Sequence, residues 1–457
     1  MRCAIRFGVV LAAGLIAGTP STYAQPVAIT PPMGWNSWDS YGLTIDESDY
    51  KANAAALAAL KSYGWTYAVI DEGWYMDNPL GDKLANRDYQ LNGNGLLVPS
   101  LKRFPSTSGN VGFKPLADFV HAEGLKFGIH IVRGIPRQAV ERNTPIEGSV
   151  YDAAEAADTA DSCPWDDGNY GVRDNAAGQA YYDAMMRLYA TWGVDFLKVD
   201  CIADHPYKAS EIRQIALAIK KSGRPIVLSL SPGPTQLKHA KEISRYAQMW
   251  RISDDIWDGW NFDRDGREAA FPKGIVTAFD NLANWSAFTK PDHWPDADML
   301  PFGALTPQPG WGEPRLSRLT NEEERTQFTL WAIARSPLIL GANLTKLDDS
   351  TRRLITNKDV IAINQTAWDS IPVAGLPAGF EPARVWHALA GPRDKPVQYL
   401  AFFNLAEQPV TLNASWEELG LKGSHAAREL WSGVALPVSN KISVTLPSHG
   451  SAVYRVE

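Results

Sequence analysis

Cysteine is nearly missing from this sequence. Three occur in 457 residues, Cys3, Cys163 and Cys201, beside only eight histidines. That stock is too small and too scattered for a structural zinc site, which needs about four closely spaced Cys or His ligands. Positive charge is short as well. Forty-four Lys and Arg face 51 Asp and Glu, for a formal net charge of −7, which argues against nucleic acid or an anionic membrane as partner. No Gly-x-Gly-x-x-Gly turn opens a helix, so the dinucleotide-binding signature is lacking. A run long enough to span a bilayer is lacking too. The longest apolar run, residues 7–17, follows Arg2 and Arg6 and precedes Thr22-Tyr23-Ala24. Residues 1–24 therefore read as a cleaved secretory signal, and the mature protein is expected to be soluble and either periplasmic or secreted. Cys3 leaves with that signal. In an oxidising compartment the remaining pair, Cys163 and Cys201, invites one disulfide.

The chain is rich in tryptophan, with seventeen. A groove that packs sugar rings uses such a surplus, and so does a large core. Its length predicts two or three domains. From residue 28 to about 364, short apolar strands alternate with helical runs. Strands are expected over 33–38, 67–71, 127–131, 196–200, 226–231, 249–252, 297–300 and 336–340. Helices are expected over 49–62, 116–123, 177–192, 209–221, 235–247 and 321–335. Seven or eight strand–helix pairs in one run predict an α/β fold, a (β/α)8 TIM barrel, over 25–364. Beyond that the helical period fades. Short alternating runs at 383–389, 398–404, 410–413, 442–446 and 452–456 predict a C-terminal antiparallel β-sandwich over 365–457, entered by a linker near 365–377.

The chemistry centres on Phe196-Leu197-Lys198-Val199-Asp200-Cys201. Lys198 and Asp200 leave one face of a strand, so the cation is expected to keep Asp200 ionised. Other polar residues also sit at strand ends: Asp71 and Glu72, His130, Ser231, and Arg251 leading to Asp255. A barrel brings all of these to one face. Two carboxylates on different strands are the minimum kit for glycoside hydrolysis, and Asp200 with Asp255 is the best pair. Arg251 is expected to hold Asp200 or a substrate hydroxyl. Trp257 and Trp260 predict a dry aromatic edge at Asp255, the setting of a general acid, with Asp254 as the alternative acid. Asp71-Glu72 is expected to bind vicinal sugar hydroxyls rather than a metal.

Together the motifs resemble glycoside hydrolase family 27, the melibiase-type α-galactosidases, over residues 28–457. They are Pro32-Met33-Gly34-Trp35-Asn36-Ser37-Trp38, Ile70-Asp71-Glu72-Gly73-Trp74, Gly124-Leu125-Lys126-Phe127-Gly128-Ile129, Lys198-Val199-Asp200, Trp250-Arg251 through Asp255-Ile256, Asp296-Ala297-Asp298-Met299-Leu300, Leu330-Trp331-Ala332-Ile333 and Asp359-Val360-Ile361-Ala362-Ile363-Asn364-Gln365. The resemblance implies a barrel followed by a β-domain and a retaining mechanism, with Asp200 as nucleophile and Asp255 as acid/base. It implies that Lys198 and Arg251 bind sugar hydroxyls, that Asp71 grips the 4- and 6-hydroxyl side, that Trp38 lines the apolar edge, and that Asp298 stands near the acid/base. The expected activity is exo-hydrolysis of terminal α-D-galactosyl units from a carbohydrate partner. No metal or organic cofactor is required by this chemistry.

Three departures bear on substrate and a fourth on the disulfide cysteine. Glu72 replaces the second acid of the usual Asp-Asp pair and resembles the β-L-arabinopyranosidase branch, whose sugar lacks the C6 group of galactose. His130 stands where a Tyr is usual. Leu230-Ser231-Pro232 replaces the Cys-Glu-Trp stretch, which puts Ser231 near the 2-hydroxyl. Cys201 follows Asp200 directly, where the family usually has one residue between. The arginine-bearing stretch 131–140 is also unusual, and would form either a plus subsite or a solvated surface loop. A rival from another class is a non-catalytic carbohydrate-binding protein, which would tolerate loss of either carboxylate.

Overall fold

The computed structural model describes residues 26–80, 87–264, 267–268, 271–306, 313–377, 379–381 and 383–457. The expected signal, residues 1–24, lies outside them. Eight parallel strands form the first sheet: β1 Met33–Asn36, β2 Tyr67–Ile70, β3 Lys126–Val132, β4 Phe196–Asp200, β5 Val227–Leu230, β6 Met249–Arg251, β7 Trp294–Asp296 and β8 Leu338–Leu340. Their spatial order is 7-6-5-4-3-2-1-8, so every strand lies beside its sequence neighbours. The gap between β7 and β8 is bridged when Leu300 pairs in parallel with Leu340. The expected barrel is thus what the chain forms.

Period-2 alternation builds its interior in layers. The lowest inward layer is apolar: Tyr67, Phe196, Val227, Met249 and Trp294 pack together with Val69 and Ala28. Two residues further along the strands stand Lys198, Ser229, Arg251 and Asp296. Two further still come Asp71, Asp200, Ser231 and Asp298. The alternate, outward residues, such as Leu197, Val199, Leu228 and Trp250, join the main core under the helices. Gly34 keeps β1 close to β2, since a Cβ there would lie 2.2 Å from the Tyr67 carbonyl oxygen.

Helices α1 Glu47–Ala58, α2 Lys114–Ala122, α3 Ala176–Trp192, α4 Ala209–Ser222, α5 Ala240–Ile243, α6 Val276–Trp285 and α7 Asn321–Ala334 follow the first seven strands in turn. α7 opens on a capping box, with Thr320 Oγ1 accepting the Glu323 N–H and Glu323 Oε2 accepting the Thr320 N–H. Two segments depart from expectation. The helix at 235–247 shrinks to α5 because Gln248 must reach β5 at once, pairing both its N–H and its side chain with Leu228. The seventh strand ends at Asp296 rather than starting at 297, because Asp298 turns the chain at φ +88°.

After Asp349–Ile355 and α8 Lys358–Thr366, the antiparallel domain begins immediately. The stretch expected as a linker is instead β9, Ala367–Pro372. With β10 Arg384–Ala390, β11 Val397–Phe403, β12 Val410–Ser415, β13 His425–Glu429, β14 Ala435–Ser439, β15 Lys441–Leu446 and β16 Ser451–Val456, it forms a six-stranded sheet of order 9-10-11-16-13-14 opposite the pair β12–β15. Both faces of the large sheet are buried. Trp386, Ala401, Phe403 and Val453 join the barrel's core, while Val385, Leu400, Phe402 and Tyr454 face Leu412, Ile442 and Val444. Thr326 of α7 donates to the His449 carbonyl oxygen at 2.6 Å, and the His449 ring stacks on Trp260. Among the described residues no helix is long and apolar enough to cross a membrane.

Candidate active site

The strand-end residues gather into two hydrogen-bonded groups at the C-terminal mouth of the barrel. The first rests on β1 to β4. Asp71 is buried, and its Oδ2 accepts from Asn36 Nδ2 at 2.7 Å and pairs with Lys198 Nζ at 2.9 Å. Its Oδ1 accepts the Glu72 N–H at 2.8 Å and lies 4.0 Å from His130 Nε2. Asp200 Oδ2 lies 3.3 Å from His130 Nε2, and Asp200 Oδ1 accepts the Cys201 N–H at 2.5 Å. Lys198 therefore pairs directly with Asp71, while its charge still helps to keep Asp200 ionised, as expected. Residues i and i+2 on a strand sit about 6.6 Å apart, while the long Lys198 side chain reaches across the barrel interior, past β3, to the end of β2.

Burial alone would raise both carboxyls. For Asp71, the charges of His130 and Lys198 and the Glu72 N–H overcome burial and hold it well below the ordinary carboxylate range. For Asp200, the His130 hydrogen bond, the charges of His130 and Lys198, and the Cys201 N–H lower it. Burial would likewise weaken Lys198 as a base, but Asp71 and Asp200 keep it firmly protonated. The Asp200 side chain is 19% exposed and that of Asp71 only 2%, so an incoming ligand reaches Asp200.

The second group rests on β6 and β7. Arg251 Nη2 lies 2.7 Å from Asp298 Oδ2 and 3.2 Å from Asp255 Oδ1. It holds these two and not Asp200, a second correction. Asp298 also accepts the Ile256 N–H at 2.7 Å, and its own N–H donates to Asp296 Oδ1. Burial and the nearby Asp255 and Asp296 raise Asp298 against the opposing charge of Arg251. Asp255 is the reachable member, 28% exposed at its side chain, while Arg251 and Asp298 are at 3%. Asp254 has its carboxyl raised by partial burial, and the guanidinium contact goes to its neighbour. The expected aromatic edge takes another form. Trp260 is committed to His449 of the β-domain, and Trp257 lies under Arg315.

Asn36, Lys198, Ser229, Arg251 and Asp298 line one small hollow, which joins the two groups. Trp38 is half-buried beside them, its N–H on Asn36 Oδ1. Ser231 is buried, and its carbonyl oxygen accepts the Ile202 and Ala203 N–H groups behind Asp200. Glu72 is enclosed beside Asp71, with Arg87 Nη1 4.0 Å from Glu72 and 3.7 Å from Asp166. Burial and Asp166 push the Glu72 carboxyl well above its ordinary value. Cys163 and Cys201 are joined by the expected disulfide. Within the stretch 131–140, Arg133 is not the solvated surface arginine of one expected reading. Arg133 turns inward onto Asp161 and Glu211, and Arg137 lies over the Tyr170 ring. Among the described residues no group of three or more His, Cys, Asp or Glu is arranged to hold a metal ion.

Sequence reasoning missed Asn36, Asp39, Asp166 and Arg133. Asp39 is buried between the two groups. Burial first, then Asp298, Asp255 and Asp71, raise its carboxyl well above the ordinary value against Lys198. Gly341 makes room for it, as a Cβ there would lie 1.8 Å from Asp39 Oδ2. Asn36 lies in a quoted motif and Asp39 directly follows its last residue, Trp38, so position alone could have singled them out.

The family model described as Alpha galactosidase A matches residues 165–366, and that of the alpha galactosidase C-terminal β-sandwich domain matches 383–456. An α-galactosidase of Cyamopsis tetragonoloba is 30% identical over 93% of this chain and 85% of that protein. The chain belongs to glycoside hydrolase family 27. Alpha-galactosidase A of Cellvibrio japonicus is 28% identical across the full length of this chain and 99% of its own. Among solved structures, a family 27 β-L-arabinopyranosidase from Geobacillus stearothermophilus superposes with a TM-score of 0.87 at 39% identity, covering 94% of this chain and 97% of that one. A variant of the same enzyme was solved in complex with arabinose. Family membership makes this chain a glycoside hydrolase with a carbohydrate substrate.

Proposed function

We propose that the protein is a retaining exo-glycosidase for terminal sugars of galactose ring configuration, with β-L-arabinopyranosides preferred over α-D-galactosides. Asp200, held as the anion, attacks the anomeric carbon while Asp255 gives its proton to the leaving oxygen. The ester between Asp200 and the sugar is then hydrolysed by water that Asp255, now the base, deprotonates. Asp71, Lys198 and Arg251 hold the ring hydroxyls, with Asp298 steadying Arg251. Retention requires the two carboxyls to stand about 5–5.5 Å apart, and the anomer first released, read by NMR, reports it.

Glu72 carries the choice of sugar. It adjoins Asp71, at the end of the pocket where C6 of galactose would lie, and it is one methylene longer than Asp. The β-L-arabinopyranosidase neighbour, at 39% identity, favours the same reading. The α-galactosidase reading has its own support in curated relatives at 28% and 30% identity. Nitrophenyl β-L-arabinopyranoside and nitrophenyl α-D-galactoside, compared by kcat/KM, decide between them. Glu72→Asp is expected to shift that ratio toward the galactoside by about 10–200-fold, the worth of one methylene in a tight pocket. An unchanged ratio removes Glu72 as selector.

A further inference from the structure

The residue after Asp200 has an unusual backbone. Cys201 takes φ +61°, the left-handed region, and it is fully buried. A side chain with a Cβ enters that region only when its surroundings force it. Three contacts do so here. The Cys201 sulfur is bonded to Cys163. Its carbonyl oxygen accepts from Arg133 Nε at 2.6 Å. The Arg133 backbone N–H donates to the Asp200 carbonyl oxygen at 3.1 Å. Arg133 is itself fixed by Glu211 at 2.8 Å and by Asp161 at 2.9 and 3.1 Å, and Tyr182 donates to the far oxygen of Glu211. The peptides on both sides of Cys201 are therefore clamped. The product of that clamp is the aim of one N–H, which points at Asp200 Oδ1 from 2.5 Å.

We propose that Cys201 and Arg133 are positioning residues for the nucleophile: the disulfide and the guanidinium hold Cys201 left-handed so that its N–H donates to the Asp200 carboxylate. On this view the cross-link acts on catalysis through a backbone angle, apart from any stability it adds. The inference rests on the assignment of Asp200 as nucleophile. A charge-assisted bond of this kind favours the anion. It also fixes the carboxylate rotamer, leaving Oδ2 to His130 and the sugar.

The test uses two double variants that lose the same cross-link and differ by one Cβ. Cys163→Ala/Cys201→Ala must bear the left-handed angle without help. Cys163→Ala/Cys201→Gly adopts it freely. Both are expected to melt lower than the parent. In the alanine pair kcat for the arabinopyranoside falls about tenfold with little change in KM, and the acid limb of kcat/KM moves up by about one pH unit. The glycine pair restores the acid limb and most of kcat. If both pairs lose activity equally, the cross-link itself is what matters, and the proposal fails. If the alanine pair keeps the parent profile, it fails as well. Should the alanine pair not fold, the glycine pair still decides, because a displaced acid limb in that protein overturns the idea. Asp200→Ala is run alongside. An active Asp200→Ala protein sinks the nucleophile assignment, whereas an inactive one with no glycine rescue sinks only the positioning role.

Discussion

The two sides of the barrel mouth carry similar residues in opposite proportion. On the β2–β4 side two carboxylates, Asp71 and Asp200, are surrounded by Lys198, His130, Asn36 and two backbone N–H groups. On the β6–β7 side one guanidinium, Arg251, serves Asp255, Asp298 and, at longer range, Asp296. Donors outnumber this pair of acids, and both are lowered, while Glu72, set against Asp166 beside them, is raised. On the second, Arg251 and the Ile256 and Asp298 N–H groups are shared among three acids, and Asp296 and Asp298 are raised. The lesson is that the supply of donors, more than burial, separates the lowered Asp71 and Asp200 from the raised Asp296 and Asp298, since burial acts upward on all four. A double displacement needs one carboxyl of each kind.

Removing the reachable acid from each side is the harshest way to break that comparison. Asp200→Ala should lower kcat by about 10⁴-fold or more, for every leaving group, because no other carboxylate can form the ester. Asp255→Ala should cost about 10²–10⁴-fold on natural glycosides and far less on nitrophenyl glycosides, whose leaving group needs no proton. Steady-state rates on both substrate types check this. Equal losses for the two variants across leaving groups would mean that the sides are not specialised.

The next effect is on stability. Arg251→Met removes the cation that pairs with both Asp255 and Asp298, leaving Asp298 buried without that counter-charge. Breaking a buried pair from one side costs about 3–5 kcal/mol. Asp71 keeps Asn36, the Glu72 N–H and His130 after Lys198→Met, so that loss should be smaller. Denaturant unfolding of the two variants at neutral pH ranks the sides. The reverse order would contradict the donor count.

Much of this was legible in the sequence, for a geometric reason. Strand alternation places Lys198 with Asp200, and strand ends collect Asp71, His130, Arg251 and Asp255, whatever the loops do. Which group bonds which was not legible. Lys198 reaches past β3 to Asp71 at the end of β2, and Arg251 reaches Asp298 beyond the adjacent β7, and no spacing within one strand encodes a cross-strand distance. Asp166 and Arg133 were hidden for a related reason. They enter from loops whose path is set by the Cys163–Cys201 link and by the short antiparallel pairing of Asn169–Val172 with Ile135–Pro136 and Ala157–Ser162. In the β-domain, β9 was read as linker because its burial does not alternate cleanly.

The gentlest probe is Asp39, which lies between the two sides. Its folded pKa is raised above the unfolded value of about 3.9. Between those two values the folded state binds more protons than the unfolded one, so stability from this group is greatest in acid and falls as pH rises toward the folded pKa. Asp71 behaves oppositely. Its lowered pKa adds stability above about pH 4, which is lost in stronger acid. The folded protein should therefore be most stable in weak acid, near pH 5. Asp39→Asn keeps the shape of the neutral carboxyl and removes its titration. That variant should come closest to the parent's melting temperature below about pH 4 and exceed it at pH 8. A gap of equal size at both pH values would show that Asp39 does not titrate between the two sides, and that the excess of acid on the β6–β7 side does not extend to it.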